Sequence, residues 1–226
     1  MTAYEPMTLE DAIHQRRSIR GYKPDPIDQD TIDHILNTAQ LSPSNCNVQP
    51  WQVLLATGQA CQDLKDKMHH AFMHGQNMNP DFSGLPKFEG EMRTRQVECA
   101  QALYGAMDIA RDDKIARMKA TARNYQFFDA PHVLFITMRK DFSPAIAVDV
   151  GMYAQTLMLL MTAHGIGSCA QASTAYYPNI VRDFFELDDD MGVLFGISFG
   201  YEDETVDANK TRTSRAPLAQ VVTHKC

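Results

Sequence analysis

Apolar and polar positions alternate along this chain with two periods, and the switches between them outline the elements. Thr8 followed by Asp11 is a helix N-cap signature and predicts a first helix of about ten residues ending near Arg17. Asp28 opens a second, with Ile32, Ile35, Leu36 and Ala39 on one face, and Pro43 stops it. Trp51 to Ala56 reads as a strand, followed by a polar helix from Gln59 to His74. Gly75 to Gly90 is rich in Gly, Pro, Asn, Asp and Ser and predicts a loop long enough to carry function. Glu91 to Phe128 returns to helical periodicity until Asp129-Ala-Pro131 breaks it. A buried strand follows from His132 to Met138, then the most apolar helix, Pro144 to His164. A short extended piece (Gly165 to Ala172), a helix (Pro178 to Leu187), a strong strand (Met191 to Tyr201) and a last short strand (Gln220 to His224) complete the pattern. Without repeats or a clear linker, these elements predict a single α+β domain over residues 1–226.

Composition narrows the function classes. Hydrophobic residues make up 44% of the 226, enough for one sizeable core. A net charge of -7 argues against a general nucleic-acid or anionic-membrane surface. The most apolar segment is interrupted by Asp149, Gly151, Gln155 and Thr162, which argues against a membrane span. Five widely spaced cysteines, with no C-x-x-C, suit free thiols in a reducing compartment; the expected location is cytoplasmic.

Three familiar patterns fail on context. Gly165-Ile-Gly167-Ser-Cys-Ala170 fits a dinucleotide fingerprint, but a helix precedes it and a strand follows, the reverse of what pyrophosphate binding needs. A helix C-cap at Gly165 is the better account. Gly196-Ile-Ser198-Phe-Gly200 fits a nucleophile elbow, yet no helix follows the serine and only His224 remains downstream as a base. His70 and His74 have metal-ligand spacing but no third ligand, so a solvated helix face is expected.

Three other clusters share one character. Arg16-Arg17-Ser18-Ile19-Arg20 offers a fork for a phosphate dianion, against the alternative of a solvated basic helix end. Pro43, Ser44, Asn45, Asn47 and Gln49 set amides and hydroxyls on a proline-stiffened backbone, where a flat heterocycle could use them or where they form an ordinary polar turn. Asn209 to Pro217, carrying Lys210, Arg212 and Arg215, is a basic island or a solvated tail.

In this order, R-R-S-x-R, P-S-x-x-N-x-Q-P-W, G-I-G-S-C-A-Q-A-S and R-T-x-R-x-P-L, the chain resembles the FMN-dependent nitroreductases over almost its whole length. The resemblance implies a dimeric fold with a mostly antiparallel central sheet flanked by helices, and two FMN sites at the subunit interface. It implies that Arg16, Ser18 and Arg20, with Arg215, hold the cofactor phosphate, that Arg212 also binds the cofactor, and that Arg17 reaches the ring or ribityl side. Pro43, Ser44, Asn45 and Asn47 would reach the flavin from the other subunit, and backbone groups of Gln171, Ala172 and Ser173 would face its ring. Some relatives have an acidic residue and a glycine where Ala172 and Ser173 stand. No dedicated catalytic side chain is implied, nor any metal, nucleic acid or membrane. The implied reaction is ping-pong transfer of a hydride from NAD(P)H through FMN to a nitroaromatic, quinone or related small-molecule acceptor. Enone reduction, dehalogenation and flavin breakdown are alternatives within the family; a serine hydrolase using Ser198, or a flavin-binding module without turnover, are alternatives outside it. Tyr104, Tyr125, Phe127 and Phe128 are candidates for an aromatic pocket wall or for core packing.

Overall fold

The computed structural model describes residues 7–82 and 86–225. Its elements are α1 (Leu9–Gln15), α2 (Gln29–Ala39), β1 (Gln52–Thr57), α3 (Gly58–Met73), α4 (Gly90–Ala106), α5 (Lys114–Ala122), β2 (His132–Arg139), α6 (Ala147–Ala163), β3 (Gly167–Gln171), α7 (Pro178–Phe185), β4 (Met191–Gly200) and α8 (Leu218–Val221). The strands form one sheet in the order β1-β2-β4-β3, each pair antiparallel.

The helices cover both faces, which is why β2 reads as an unbroken apolar run. Leu134, Ile136 and Met138 point to the side covered by α2 and α6, while Val133 and Phe135 point to the side covered by α3 and α7. Capping fixes the helix starts as the sequence predicts. Thr8 accepts from the Asp11 N–H, and Asp28 accepts from the Thr31 N–H. At the end of α6, Gly165 takes φ +71°, its N–H donating to Thr162 O and that of Ile166 to Met161 O. This is a Schellman cap, the helix-ending role expected of Gly165.

Two expectations need correction. Gln220 to His224 is no strand: its first residues close the helical turn α8, through Gln220 N–H to Pro217 O and Val222 N–H to Leu218 O, and no ladder pairs the rest. The helical stretch from Glu91 to Phe128 is also not continuous. It breaks at Asp108, which adopts φ 53°, and ends in a 3₁₀ turn over Arg123–Asp129. Within that turn Phe127, Phe128 and Asp129 are all left-handed.

Candidate functional site

Beyond α1 the chain runs extended and is stitched to β3. Ser18 bridges Ser168 in parallel, and the Ile19 N–H donates to Ser168 O at 3.0 Å. Side chains alternate there, so Ile19 goes inward and its neighbours Ser18 and Arg20 turn the other way. Ile19 packs on Gly167, where a Cβ would stand 2.7 Å from Ile19 Cγ1. Position 167 therefore needs its glycine for close approach.

A buried amide brings the distant basic segment to this strand. Asn209 accepts from the Arg20 N–H at 2.6 Å and donates through Nδ2 to the carbonyls of Gly21 and Asp203, each at 2.9 Å. The basic island is thus clamped rather than a loose tail. Arg16, Ser18, Arg20, Arg212 and Arg215 consequently line one cavity of about 630 Å³, with Cys99 of α4 opposite.

The electrostatics of this cavity are one-sided. Among the described residues no carboxylate lines it, and none of Arg16, Arg20, Arg212 and Arg215 forms an ion pair. The guanidiniums of Arg20, Arg212 and Arg215 donate to nearby neutral oxygens, such as Asn209 O from Arg212 at 2.8 Å and Thr213 Oγ1 from Arg215 at 3.0 Å. Burial lowers the Arg16 pKa from its ordinary value, and the positive charge of Arg215 adds to the effect. Behind the strand, burial keeps the Cys169 thiol protonated although Arg20 and Arg16 pull the other way. Four like charges held together fit a site for an anion.

Arg17 is not part of that cluster's free charge. Its Nη2 donates to both carboxylate oxygens of Glu202 at 2.5 Å, across 185 residues of sequence. The phosphate fork expected from three arginines therefore reduces, on this segment, to Arg16 and Arg20.

β3 leads away from the arginines. Ser168 to Gln171 spans roughly 10 Å at strand rise, a distance that a ribityl phosphate arm can cover. At its far end Gln171 is buried and donates through Nε2 to Asn124 O at 2.9 Å, while Ser173 Oγ meets Asn124 Oδ1 at 3.3 Å. Ala172 is exposed. Gln171 Oε1 and Ser168 Oγ are buried with no partner among the described residues. Unpaired buried polar atoms are costly and rare, and they set this strand apart from the apolar core around it. Asn124, which ties the segment down, lies where no sequence motif pointed.

The loop from Pro43 to Pro50 sits apart, and none of its residues lines the arginine cavity. Cys46, Asn47 and Gln49 have left-handed φ values of 47°, 57° and 46°. The buried Asp149 carboxylate holds the loop by accepting from the Asn45 N–H at 3.0 Å, and Ser44 Oγ accepts from the Gln49 N–H at 2.9 Å. Trp51 anchors the exit, stacked on Tyr153 with Nε1 donating to Gln40 Oε1 at 2.8 Å. The side chains of Pro43, Asn45 and Asn47 remain exposed.

The alternative chemistries find no support in the geometry. Ser198 is fully buried within β4, its Oγ 3.4 Å from the Tyr22 hydroxyl. His70 and His74 stack on each other at 3.8 Å, and no metal-holding group of side chains occurs among the described residues. Tyr125, Phe127 and Phe128 are core residues, while Tyr104 lies under the Arg117 guanidinium.

Residues 13–201 match the model of the nitroreductase family. A nitroreductase of Mycolicibacterium smegmatis, NfnB, is 36% identical over 214 residues, covering 93% of this chain and 90% of its own length. A 4-nitrobenzoate reductase of Pseudomonas putida is 33% identical, with 94% and 92% covered. The crystal structure of the FMN-dependent NfnB from Mycobacterium smegmatis in complex with NADPH superposes with a TM-score of 0.92 at 35% identity, covering 96% and 97%. That of the FMN- and NADPH-dependent NfnB from sphigopyxis sp. strain HMH superposes at 0.93 and 31%, covering 97% and 100%. The chain belongs to the nitroreductase family.

Proposed function

We propose that this protein is an FMN-dependent oxidoreductase that draws reducing equivalents from NAD(P)H and reduces nitroaromatic or related acceptors, acting as a cytoplasmic homodimer. The observation that carries the proposal is a cavity lined by five arginines, of which all but Arg17 lack an ion pair among the described residues, in a chain of net charge -7. The residues present suit FMN. Arg16, Arg20 and Arg215 supply charge for a phosphate dianion, and Ser18 a hydroxyl. Further along β3, Gln171 Oε1 is an acceptor in search of a donor, and Asn124 fixes Gln171 and Ser173 in place.

When bound, the flavin supplies the redox chemistry, accepting a hydride equivalent and passing reducing equivalents to an acceptor. The chain supplies the rest: charge that holds the phosphate, a rigid strand edge that orients the ring, and a polar loop at Pro43, Ser44, Asn45 and Asn47. That loop is separate from the arginine cavity of its own chain, which supports its serving the site of a second copy. Exposed apolar side chains in line with this include Leu9, Leu41 and Val148, at 68%, 85% and 63% exposure. The names of the relatives support nitrobenzoate-like acceptors and NADPH as reductant.

The test is cofactor affinity. Removing one side of a hydrogen-bonded charge pair costs about 2–5 kcal/mol, so Arg20→Ala and Arg215→Ala should each weaken FMN binding roughly thirty-fold to a few thousand-fold. Riboflavin, lacking the phosphate, should lose far less, and the double variant less than the sum. Equal weakening of FMN and riboflavin would remove these arginines from the phosphate. A purified protein without flavin absorption bands, even after FMN is added, would end the proposal.

A further inference from the structure

β3 pairs with β4 only as far as Gly196, so residues 191–195 of β4 have no strand on that side. A bare strand edge leaves backbone groups that something else must satisfy. The loop after α3 supplies it. Asp81 Oδ2 accepts from the Val193 N–H at 2.9 Å, and the same carboxylate accepts from Arg182 Nη2 at 3.0 and 3.1 Å. Lys140 Nζ adds a contact at 3.2 Å. The side chains of Asp81 and Arg182 are only 8% and 12% exposed, so the pair is nearly dry, and breaking it would strand the remaining charge. Phe82 then lies on Gly192, where a Cβ would come within 2.6 Å of its ring.

Two residues before this anchor, the loop meets the turn that follows β3. The Asn79 N–H donates to Tyr176 O at 3.0 Å. Tyr176 ends the 3₁₀ turn Ala172–Tyr176, which begins directly after Gln171 and carries Ala172 and Ser173. The middle of the turn is pinned to the sheet by the buried Thr174, whose Oγ1 donates to Gln171 O at 2.8 Å and accepts from the Gly196 N–H at 2.9 Å. Its last residue hangs on the loop. Residues 73–80 are all exposed, so no packing of their own holds them in place. The grip on Tyr176 depends on the anchor at Asp81 and Phe82.

We propose that Asp81 is a positioning residue for the flavin ring: its bonds to Arg182 and Val193 fasten the loop, and through Asn79 the loop holds the turn that presents Ala172 and Ser173. The proposal rests on the FMN reading and divides the labour within it. The arginine cavity holds the phosphate, and the Asp81 anchor sets the backbone at the ring end.

The experiment compares Asp81→Asn and Arg182→Lys with the parent, each as the full chain. It reads hydrogen exchange of the flavin-free protein, affinity of the stripped protein for FMN and for riboflavin, and the visible circular dichroism of the bound flavin. Asp81→Asn keeps an acceptor for the Val193 N–H but loses the charge that holds Arg182. Exchange should quicken at Asn79 and across Ala172–Tyr176 while β2 stays protected. Ordering one backbone residue afresh on binding amounts to about tenfold in affinity, so FMN and riboflavin should weaken alike by about that factor, with altered dichroism. This equal loss is the opposite of the FMN-selective loss expected for Arg20→Ala. Arg182→Lys keeps the charge without the planar donors and should show the same pattern at roughly a few-fold; it carries the test if Asp81→Asn does not fold. The proposal is overturned if exchange quickens while both flavins bind as in the parent, since the anchor then serves the fold alone. It is equally overturned by a loss confined to FMN, or by unchanged exchange across the turn. Failure of the underlying FMN reading would look different: the parent itself would bind neither flavin, and the proposal would fall with it.

Discussion

Besides the single cases Asp108 and Glu186, two segments of this chain cluster residues other than glycine in left-handed backbone, and they do it by different means. Phe127, Phe128 and Asp129 follow one another at φ 51°, 54° and 69°, and Cys46, Asn47 and Gln49 cluster at φ 47°, 57° and 46°. Each such residue costs roughly 1–3 kcal/mol, and the surroundings must over-determine it. In the first segment burial does so for the two phenylalanines, while Asp129 is exposed and ion-paired with Arg123 at 2.8 Å. Tyr125, Phe127 and Phe128 are at most 5% exposed, with Tyr125 stacked on Phe72 and Phe127 edge-on to Phe135. In the second the three side chains are exposed, and a few polar bonds from Asp149 and Ser44 hold the backbone. Strain locked by a core serves the fold. Strain kept on a surface by polar contacts points to a site, and the second loop is the one proposed to serve a partner's cofactor.

The largest effect should come from the buried turn. Phe127→Ala removes a fully buried ring from the main core beside α3 and should cost about 3–5 kcal/mol. Urea unfolding should show a large drop in midpoint, with Asn124, Gln171 and FMN affinity disturbed in its wake. A loss below about 1 kcal/mol would mean that the turn is not held by its aromatic anchors.

Next to that turn stands His132, 2% exposed and stacked on Phe199. Its Nε2 accepts from the Ile27 N–H at 2.9 Å, which requires the neutral ring. Burial lowers its pKa from 6.5 to about 4, with the nearby Lys65 charge adding to the shift. The sign follows directly. The unfolded chain binds this proton more readily, so the contribution is complete above pH 6.5 and is lost as pH falls towards 4. At 1.36 kcal/mol per unit this is on the order of 3 kcal/mol. Stability measured between pH 7 and 4 should fall more steeply in the parent protein than in His132→Gln, and parallel curves would contradict the assignment.

The same contrast explains what the sequence discloses. Local pattern revealed the helices with capped starts, the buried strand His132 to Met138, and the identity of the basic and polar clusters. It missed whatever depends on contacts across the chain. Asn209 reaches Arg20 over 189 residues, Glu202 captures Arg17 over 185, and Asp149 meets Asn45 over 104. No periodicity signals such a bond, so Arg17 read as one arm of a basic fork, with a ring or ribityl contact implied by the resemblance, and Asn209 as part of a basic island or tail. Left-handed phenylalanines are illegible for a related reason. Nothing local favours them, and only tertiary burial pays for the conformation. The stretch Gln220 to His224 has strand-like composition, but no neighbouring strand is there to receive it.

On the exposed loop, Asp149→Ala should cost the fold little. It deletes the acceptor for the Asn45 N–H, a group on an exposed residue that water can satisfy, so about 1 kcal/mol is expected. FMN affinity should fall by about tenfold or more, because the loop loses the bond that sets its backbone. Unchanged FMN binding, measured by titrating the stripped protein, would detach this loop from the cofactor.

The smallest effect on stability is expected at Cys46, and it separates the two kinds of strain most cleanly. Cys46 has φ 47° and ψ 24°, and its thiol is exposed, with Asn45 Oδ1 at 3.4 Å. Cys46→Gly relieves the clash of a Cβ in left-handed backbone but adds conformational freedom to the unfolded chain. The two terms oppose each other, and the net should lie within about 0.5 kcal/mol of zero, on the stabilising side. The matching change Phe128→Gly relieves the same kind of backbone strain, yet it empties a core position and should destabilise by at least about 3 kcal/mol. Denaturant titrations of the two variants side by side give the comparison. A large loss in Cys46→Gly would show that the thiol is packed in the isolated chain, and the loop would then belong with the buried turn rather than with the site.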